Sequence, residues 1–307
     1  MFRFLLIRLS SALIVIAGVV CIVFFLLHMI PGDPVEVMLG ESAQPADREA
    51  LRHELGLDQP LLKQFQTYIS GLAHLDLGKS LHSKRLITEI LSERLPATFI
   101  LAITALIIAM LIAFPLGILS AIRKDTLIDR GAMGFAMLGV SLPNFWMGPI
   151  LIMIFSLWLG WLPVSGSDGI RSIVLPAITL GTALAAILSR MVRSAVLEVL
   201  NEDFIRTARA KGMSEWRVIL KHALGNATLP VITVLGLQLG ALLGGAVITE
   251  TIFSWPGIGQ LTIDAIQQRD YPVVQACVLV ISLVYVMVNM ITDIAYGWLD
   301  PRVRLGE

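Results

Sequence analysis

The chain has 307 residues, of which 56% are hydrophobic and only 15% are charged, and its mean hydropathy is +0.80. Ordinary soluble proteins carry about 25% charged residues, so this composition excludes a typical soluble globular domain and also an intrinsically disordered chain. The 23 basic and 23 acidic residues balance, which gives no bulk electrostatic case for nucleic-acid binding, and the two cysteines exclude a disulfide scaffold.

Six apolar runs have the length that a membrane-crossing helix needs. A bilayer core of about 30 Å requires about 20 helical residues. The first run exceeds the apolar stretch of a secretory signal peptide, so we expect an uncleaved helix there. The third run is interrupted by Ser141-Leu142-Pro143-Asn144, which predicts a break. The six predicted transmembrane helices lie within Leu9–Ile30, Ala97–Ile122, Met133–Leu159, Ile173–Met191, Leu229–Ile248 and Val274–Ile294.

The distribution of basic residues predicts the orientation. Fourteen Lys and Arg residues fall in the terminal segments and short loops on the side of the N-terminus, whereas the two short opposite loops carry only Arg171 and Arg269. Because basic residues concentrate in cytoplasmic loops, both termini are expected inside. The expected organisation is an N-terminal transmembrane helix at 1–30, an extracytoplasmic helical loop at 31–96, a five-helix core at 97–298 with a cytoplasmic segment at 194–228, and a cytoplasmic tail at 299–307.

The residue pattern of the cytoplasmic segment 194–228, the elbow, predicts two short helices. Asn201 is expected to cap the first helix, and Gly212 to end it in a left-handed conformation. Ser214 is expected to cap the second. That helix has an apolar stripe at helical spacing, formed by Trp216, Ile219, Leu220, Ala223 and Leu224. These patterns leave two interpretations open, a solvated linker on the membrane surface and a docking surface for a cytosolic partner.

Several stretches carry a resemblance to a known family. The elbow sequence over 202–212, followed by His222-Ala223-Leu224-Gly225-Asn226-Ala227 and Pro230, resembles the loop motif of binding-protein-dependent ABC importer permeases. Residues 28–34, 253–257 and 269–275 are similar to the peptide and nickel branch of that family. The similarity runs nearly end to end. Gly225 departs from the pattern, since relatives often carry arginine there.

The resemblance implies an all-α polytopic membrane protein with the type I ABC importer permease fold, located in the bacterial cytoplasmic (inner) membrane. It implies a second homologous permease subunit, two cytosolic ATPase subunits and an extracytoplasmic substrate-binding protein as partners. ATP and Mg are expected on the ATPase subunits, with no cofactor on this chain. The residues that the resemblance assigns to ATPase coupling are Glu202, Asp203, Arg206, Thr207, Ala208, Lys211, Gly212, His222 and Pro230.

Other motifs in the chain indicate no catalytic chemistry of its own. Gly78-Lys79-Ser80 has Ala73 where a phosphate-binding loop needs its first glycine, so this chain is not expected to hydrolyse ATP. The five histidines show no metal-ligand spacing, and no catalytic constellation is recognisable. Gly236, Gly240 and Gly244 permit close helix packing, either within the subunit or, as we prefer, across a subunit interface. Polar residues within the predicted spans are candidates for the translocation path, namely Asn144, Gln238 and Asn289.

We therefore predict a permease subunit of an ATP-driven importer for di- or oligopeptides. Within the same family, nickel, nickel chelates and glutathione remain alternative substrates. The alternative from another class is a self-sufficient secondary transporter, which would be expected to show internal repeats and membrane-embedded ionisable residues. A membrane enzyme is the third possibility, disfavoured by the lack of a nucleophile–base pattern.

Overall fold

The structure, a computed structural model, describes residues 2–29, 33–40 and 43–299. Over these ranges the chain is helical, with one isolated bridge between Lys79 and Leu86 and no strand. The helices are α1 Phe2–Met29, α2 Pro34–Leu39, α3 Pro45–Glu54, α4 Leu61–Ala73, α5 Ile87–Ile122, α6 Leu127–Ser141, α7 Asn144–Leu151, α8 Ile170–Leu200, α9 Asp203–Ala210, α10 Glu215–Arg217, α11 Leu224–Ile252, α12 Ile258–Gln267 and α13 Tyr271–Leu299. Two π-helical segments, Ile152–Trp158 and Val218–Ala223, continue α7 and α10.

The expected all-α membrane architecture is confirmed. Among the described residues, four helices are long and apolar enough to cross a bilayer: α1 from Arg8 onward, α5, α8 and α13. Two further bent pairs would bring the number to six if each is one span. The exact number of spans and the inward position of both termini stay predictions, and so does the proposed division into domains.

Two helices begin earlier in the sequence than predicted. Helix α5 begins at Ile87, so the last ten residues assigned to the extracytoplasmic loop are helical. Helix α11 begins at Leu224, which puts Pro230 inside the helix instead of at its start. The axis bends by 54° at this proline, because the proline ring clashes with the carbonyl four residues earlier and removes a donor. Neighbouring helices make such breaks tolerable in membrane proteins.

The predicted break in the third run is confirmed. Helix α6 ends at Ser141, α7 begins at Asn144, and the two limbs meet at 103°. Leu142 is extended, as expected for a residue that precedes proline. Helix α6 has 15 residues, which is about 22 Å of helix and less than the bilayer core. The third run is therefore two angled limbs and not one straight span.

The described chain divides into two compact units, Thr98–Trp255 with the chain from Val284 onward, and Phe2–Ala97 with Pro256–Leu283. In the first unit, α8 is the central helix and packs on α6, α7 and α11. Glycines allow α5 to approach α8. A Cβ atom at Gly181 would lie 2.8 Å from the carbonyl oxygen of Ala105, and one at Gly117 would lie 2.7 Å from that of Ser189.

The second unit has its own apolar core. Leu27, Ile87, Ile258 and Val274 are buried there, together with Cys277. Helix α4 packs on the end of α1, where Phe24 and Phe65 have ring centroids 5.1 Å apart. The unit thus joins α1, the helical segment before α5, and the first part of α13.

Candidate functional site

The first elbow helix, α9, follows α8 after two residues. The expectation that Asn201 caps α9 is wrong, because α8 runs to Leu200 and Asn201 closes it. The Asn201 amide donates to the carbonyl oxygen of Leu197 at 3.0 Å. Glu202 occupies the N-cap position in an extended conformation, and its carbonyl accepts the N–H of Ile205 at 3.1 Å. The turn between α8 and α9 is consequently short.

Gly212 ends α9 as predicted. Its φ is +76°, in the left-handed region that favours glycine. The Gly212 N–H donates to Arg209 at 2.9 Å, and the Met213 N–H donates to Ala208 at 3.4 Å. This pair of bonds is the Schellman motif, which satisfies the last carbonyls of a helix. No atom lies within 4 Å of a Cβ built at Gly212, so the backbone conformation, not space, requires glycine there.

A small apolar core fixes the elbow helices to the end of α8. Ile205, Val218 and Ala223 are fully buried, Ala208 is nearly so, and they pack together with Val199, Leu200 and Met213. Because Val199 and Leu200 are the last turn of α8, a force on α9 reaches α8 through direct packing.

The predicted apolar stripe of the second helix is only partly buried. Ile219 and Ala223 are buried as expected, but Trp216 is 65% exposed and Leu220 is 42% exposed, while Val218 is buried instead. The π-helical segment Val218–Ala223 explains the difference, because its hydrogen-bond spacing changes the angles between successive side chains.

The polar residues assigned to coupling lie on the outer surface of the elbow. Glu202, Asp203, Arg206, Thr207 and Lys211 are exposed. Of the same set, Ala208 is buried, and Pro230 lies within α11, outside the elbow. Two bonds join α9 to α10, from Arg209 Nε and Nη2 to the Glu215 carboxylate at 2.8 and 3.2 Å.

His222 has an unusual environment. Its Nε2 atom is buried and makes no hydrogen bond within the described residues. Its carbonyl oxygen accepts a bond from the Asn226 amide at 2.9 Å. The role of His222, packing or hydrogen bonding at the elbow, stays a prediction.

The glycines of α11 pack against α13 of the same chain. A Cβ atom at Gly236 would overlap Thr292, and one at Gly240 would overlap the ring of Tyr285. This arrangement agrees with the alternative of packing within the subunit. Contact across a subunit interface stays a prediction, and the surroundings of Gly244 lie outside the described part of the chain.

The three translocation-path candidates lie on different helices. Asn144 opens α7, Gln238 lies in α11, and Asn289 lies in α13, where its amide donates to the Tyr285 carbonyl at 3.0 Å. All three are half-buried, and no described hydrogen bond joins any two of them. Their role in a path remains a prediction.

Buried carboxylates are the functional candidates that the sequence analysis missed. The carboxylate of Asp129 pairs with Arg193. The fully buried Glu250 accepts a bond from Thr98 Oγ1 at 2.7 Å. An acidic residue within or beside an apolar run is the signal that would have pointed to both. Among the described residues, no group of three His, Cys, Asp or Glu side chains is arranged to hold a metal ion.

Comparison with known proteins finds two matching family models and several similar proteins. The chain matches the family model described as "Binding-protein-dependent transport system inner membrane component" over residues 113–305, and a second one, "Binding-prot-dependent transport system membrane comp, N-term", over residues 1–102. It is 44% identical over 336 residues to the dipeptide transport system permease protein DppB of Escherichia coli strain K12, covering 99% of each chain.

Two further relatives are nearly as similar. The di/tripeptide transport system permease protein DppB of Pseudomonas aeruginosa strain UCBPP-PA14 is 44% identical over 333 residues, covering 99% of each chain. The glutathione transport system permease protein GsiC of Escherichia coli strain K12 is 43% identical over 283 residues, covering 92% of each chain.

Solved structures share the fold at low sequence identity. An inward-facing MetNI methionine ABC transporter chain aligns with a TM-score of 0.59 and 18% identity, covering 69% of this chain and 97% of that one. A chain of an amino acid ABC transporter aligns with a TM-score of 0.52 and 15% identity, covering 70% and 94%. These likenesses show the fold of ABC importer permeases.

Proposed function

This chain belongs to the family of binding-protein-dependent transport system inner membrane components, and we propose that the ABC importer of which it is a permease subunit takes up di- and oligopeptides. Three relatives at 43–44% identity support this substrate class, since their names specify dipeptides, di/tripeptides and glutathione. All three substrates are short peptides with charged ends. Glutathione and nickel chelates are the alternative substrates, and the ligand that the binding protein retains distinguishes them.

The proposed assembly contains this chain, a second permease subunit, two cytosolic ATPase subunits and an extracytoplasmic binding protein. ATP and Mg bind to the ATPase subunits, which carry out hydrolysis. This chain converts their closure into alternating access of the transport path. Family membership supports the ATPase and the binding protein as partners, and the proposal adds the number of each.

The observation that carries the coupling role is the construction of the elbow. Its turn is fixed by the Schellman motif at Gly212, and its core holds it to the last turn of α8. On the outside it exposes Phe204 by 41%, Trp216 by 65% and Leu220 by 42%. Large exposed apolar side chains on a preorganised support are typical of a protein interaction surface. A solvated linker needs neither the fixed turn nor the exposed aromatic rings.

The test is to purify the assembly from native membranes through a tag on this chain and to reconstitute it with its binding protein. We expect ATP-dependent uptake of a labelled dipeptide that unlabelled di- and tripeptides inhibit. Mass spectrometry and metal analysis of the ligand retained by the co-purified binding protein identify the substrate. A retained nickel chelate would contradict the peptide proposal, and ion-gradient-driven uptake by this chain alone would favour a secondary transporter.

A further inference from the structure

The side chains of Arg193 and Asp129 form a bidentate ion pair between α8 and α6. Arg193 Nε donates to Asp129 Oδ1 at 2.7 Å, and Nη2 donates to Oδ2 at 2.6 Å. The Asp129 side chain is 5% exposed and that of Arg193 is 22% exposed. A paired fork geometry fixes the direction as well as the distance between the two helices, which a lysine could not do.

Two further donors complete the site. The Ser120 hydroxyl near the end of α5 donates to Oδ1 of Asp129, and the Asp125 N–H donates to Oδ2 at 2.9 Å. Asp125 lies in the turn between α5 and α6 and has a φ of +63°. The Asp129 carboxylate therefore joins the end of α5, this turn, the start of α6 and α8 in one hydrogen-bonded group.

The position of Arg193 links this group to the elbow. Arg193 immediately precedes the elbow, and α8 continues without a break to Leu200. Arg193 and Leu200 are seven positions apart, which is about 10 Å of helix, or two turns. Val199 and Leu200 belong to the core that holds the elbow helices. Displacement of the two elbow helices is thus transmitted along the last two turns of α8 to Arg193.

The position of Asp129 determines which helix responds. Asp129 lies in the first turn of α6, which Thr126 caps. Helix α6 leads to the 103° break and then to α7. A load on Arg193 therefore acts through Asp129 on the helix that begins the broken third run.

We propose that Arg193 and Asp129 are a positioning pair that transmits movement of the elbow to α6 and to the broken third run. The proposal rests on the coupling function proposed above and adds to it the helix that the elbow moves. Loss of the pair uncouples ATP hydrolysis from transport while the remaining helix contacts keep the subunit assembled.

The first test compares Arg193→Lys and Asp129→Asn with the unmodified chain in the full reconstituted assembly. We expect both variants to assemble, and the number of ATP molecules hydrolysed per peptide taken up to rise at least about fivefold, within the range typical of coupling between sites. Arg190→Lys is the matched control, since Arg190 is exposed on the same helix. If the ratio of ATP hydrolysed to peptide taken up is unchanged in the assembled variants, even when both rates fall in proportion, the pair is only structural.

A second measurement does not depend on the stability of those variants. Spin labels at two exposed positions, Arg130→Cys next to Asp129 and Glu198→Cys five positions after Arg193, report the distance between α6 and α8 during ATP turnover. We expect this distance to stay constant when the ATPases close, because the pair moves as one body. A distance that changes between the nucleotide-free and the ATP-trapped assembly would overturn the proposal. Failure of the unmodified assembly to transport peptide would instead contradict the proposed function, and the distance measurement would still decide the inference.

Discussion

The hydroxyl of Ser80 donates a 2.6 Å hydrogen bond to Oδ2 of Asp270, a residue 190 positions later in the chain. The backbone N–H groups of Leu81 and His82 also donate to this carboxylate, at 3.2 and 3.4 Å. Ser80 and Asp270 are both buried. The segment before α5 is therefore anchored to the residue that immediately precedes α13.

Replacement of Asp270 should release this segment. Asp270→Ala leaves the Ser80 hydroxyl without its acceptor, and a buried unsatisfied donor costs about 1–3 kcal/mol. We expect trypsin to cleave after Lys84 or Arg85 much faster in the variant, measured in sealed membranes of known orientation. Ser83→Ala is the control, since Ser83 is exposed and the bond that its hydroxyl accepts from the Arg85 N–H is long, at 3.5 Å. Equal cleavage of Asp270→Ala and the unmodified chain would refute the anchoring role.

Close packing of α8 against α5 should make Gly181 intolerant of any side chain. The Cβ of Gly181→Ala would lie 2.8 Å from the Ala105 carbonyl oxygen, and overpacking of this kind costs about 1–3 kcal/mol. Gly131→Ala in α6 is a matched control with nothing within 4 Å of the new atom. There, alanine should stabilise the helix by about 0.5–1 kcal/mol. Denaturation midpoints in detergent should shift in opposite directions, and a shared direction would contradict the packing argument.

Local features of the sequence predicted a large part of this structure. The break at Leu142-Pro143 and the turn at Gly212 were predictable because proline and glycine act on their own backbone and that of their neighbours. The apolar runs predicted where long helices lie, since run length reflects the thickness of the bilayer. The starts of α5 and α11 were not predictable in this way, because both helices extend beyond their apolar runs.

Long-range contacts could not be predicted from the sequence patterns. Arg193 and Asp129 are 64 residues apart, and nothing in their neighbourhoods indicates the pairing. The exposure of Trp216 was missed because the apolar stripe assumed continuous α-helical spacing, whereas α10 passes into a π-helical segment at Val218, two residues after Trp216. Glu215, which looks like a solvent-facing position, bonds to Arg209 and joins the two elbow helices.

The orientation of the chain can be tested by labelling single cysteines. Ser83 and Ser214 are both exposed and belong to segments predicted on opposite sides of the membrane. With Cys21 and Cys277 replaced by alanine, we expect an impermeant maleimide to label Ser83→Cys in intact cells and Ser214→Cys only after the cells are opened. Equal labelling of both positions in intact cells would refute the orientation that the basic residues predict.

The final prediction concerns Gly212, where space and backbone conformation can be separated. A Cβ atom there meets nothing within 4 Å, but the φ of +76° is strained for other residues. Gly212→Val should cost on the order of 1–3 kcal/mol in the present conformation. The elbow can relieve this strain by changing direction, which leaves the membrane helices intact. Gly212→Asn should be milder, because asparagine tolerates the left-handed region.

We therefore expect the Gly212→Val assembly to form normally and to lose most substrate-stimulated ATP hydrolysis and uptake, with Gly212→Asn in between. Lys221→Gln, an exposed elbow position, is the control and should have little effect. Glu215→Gln is unsuitable as a control, since its carboxylate holds Arg209 across the turn. Expression, assembly, ATPase rate and uptake must be measured on the same preparations. Normal stimulation and uptake in Gly212→Val would mean that the elbow is only a linker, and the coupling role proposed for it would have to be withdrawn.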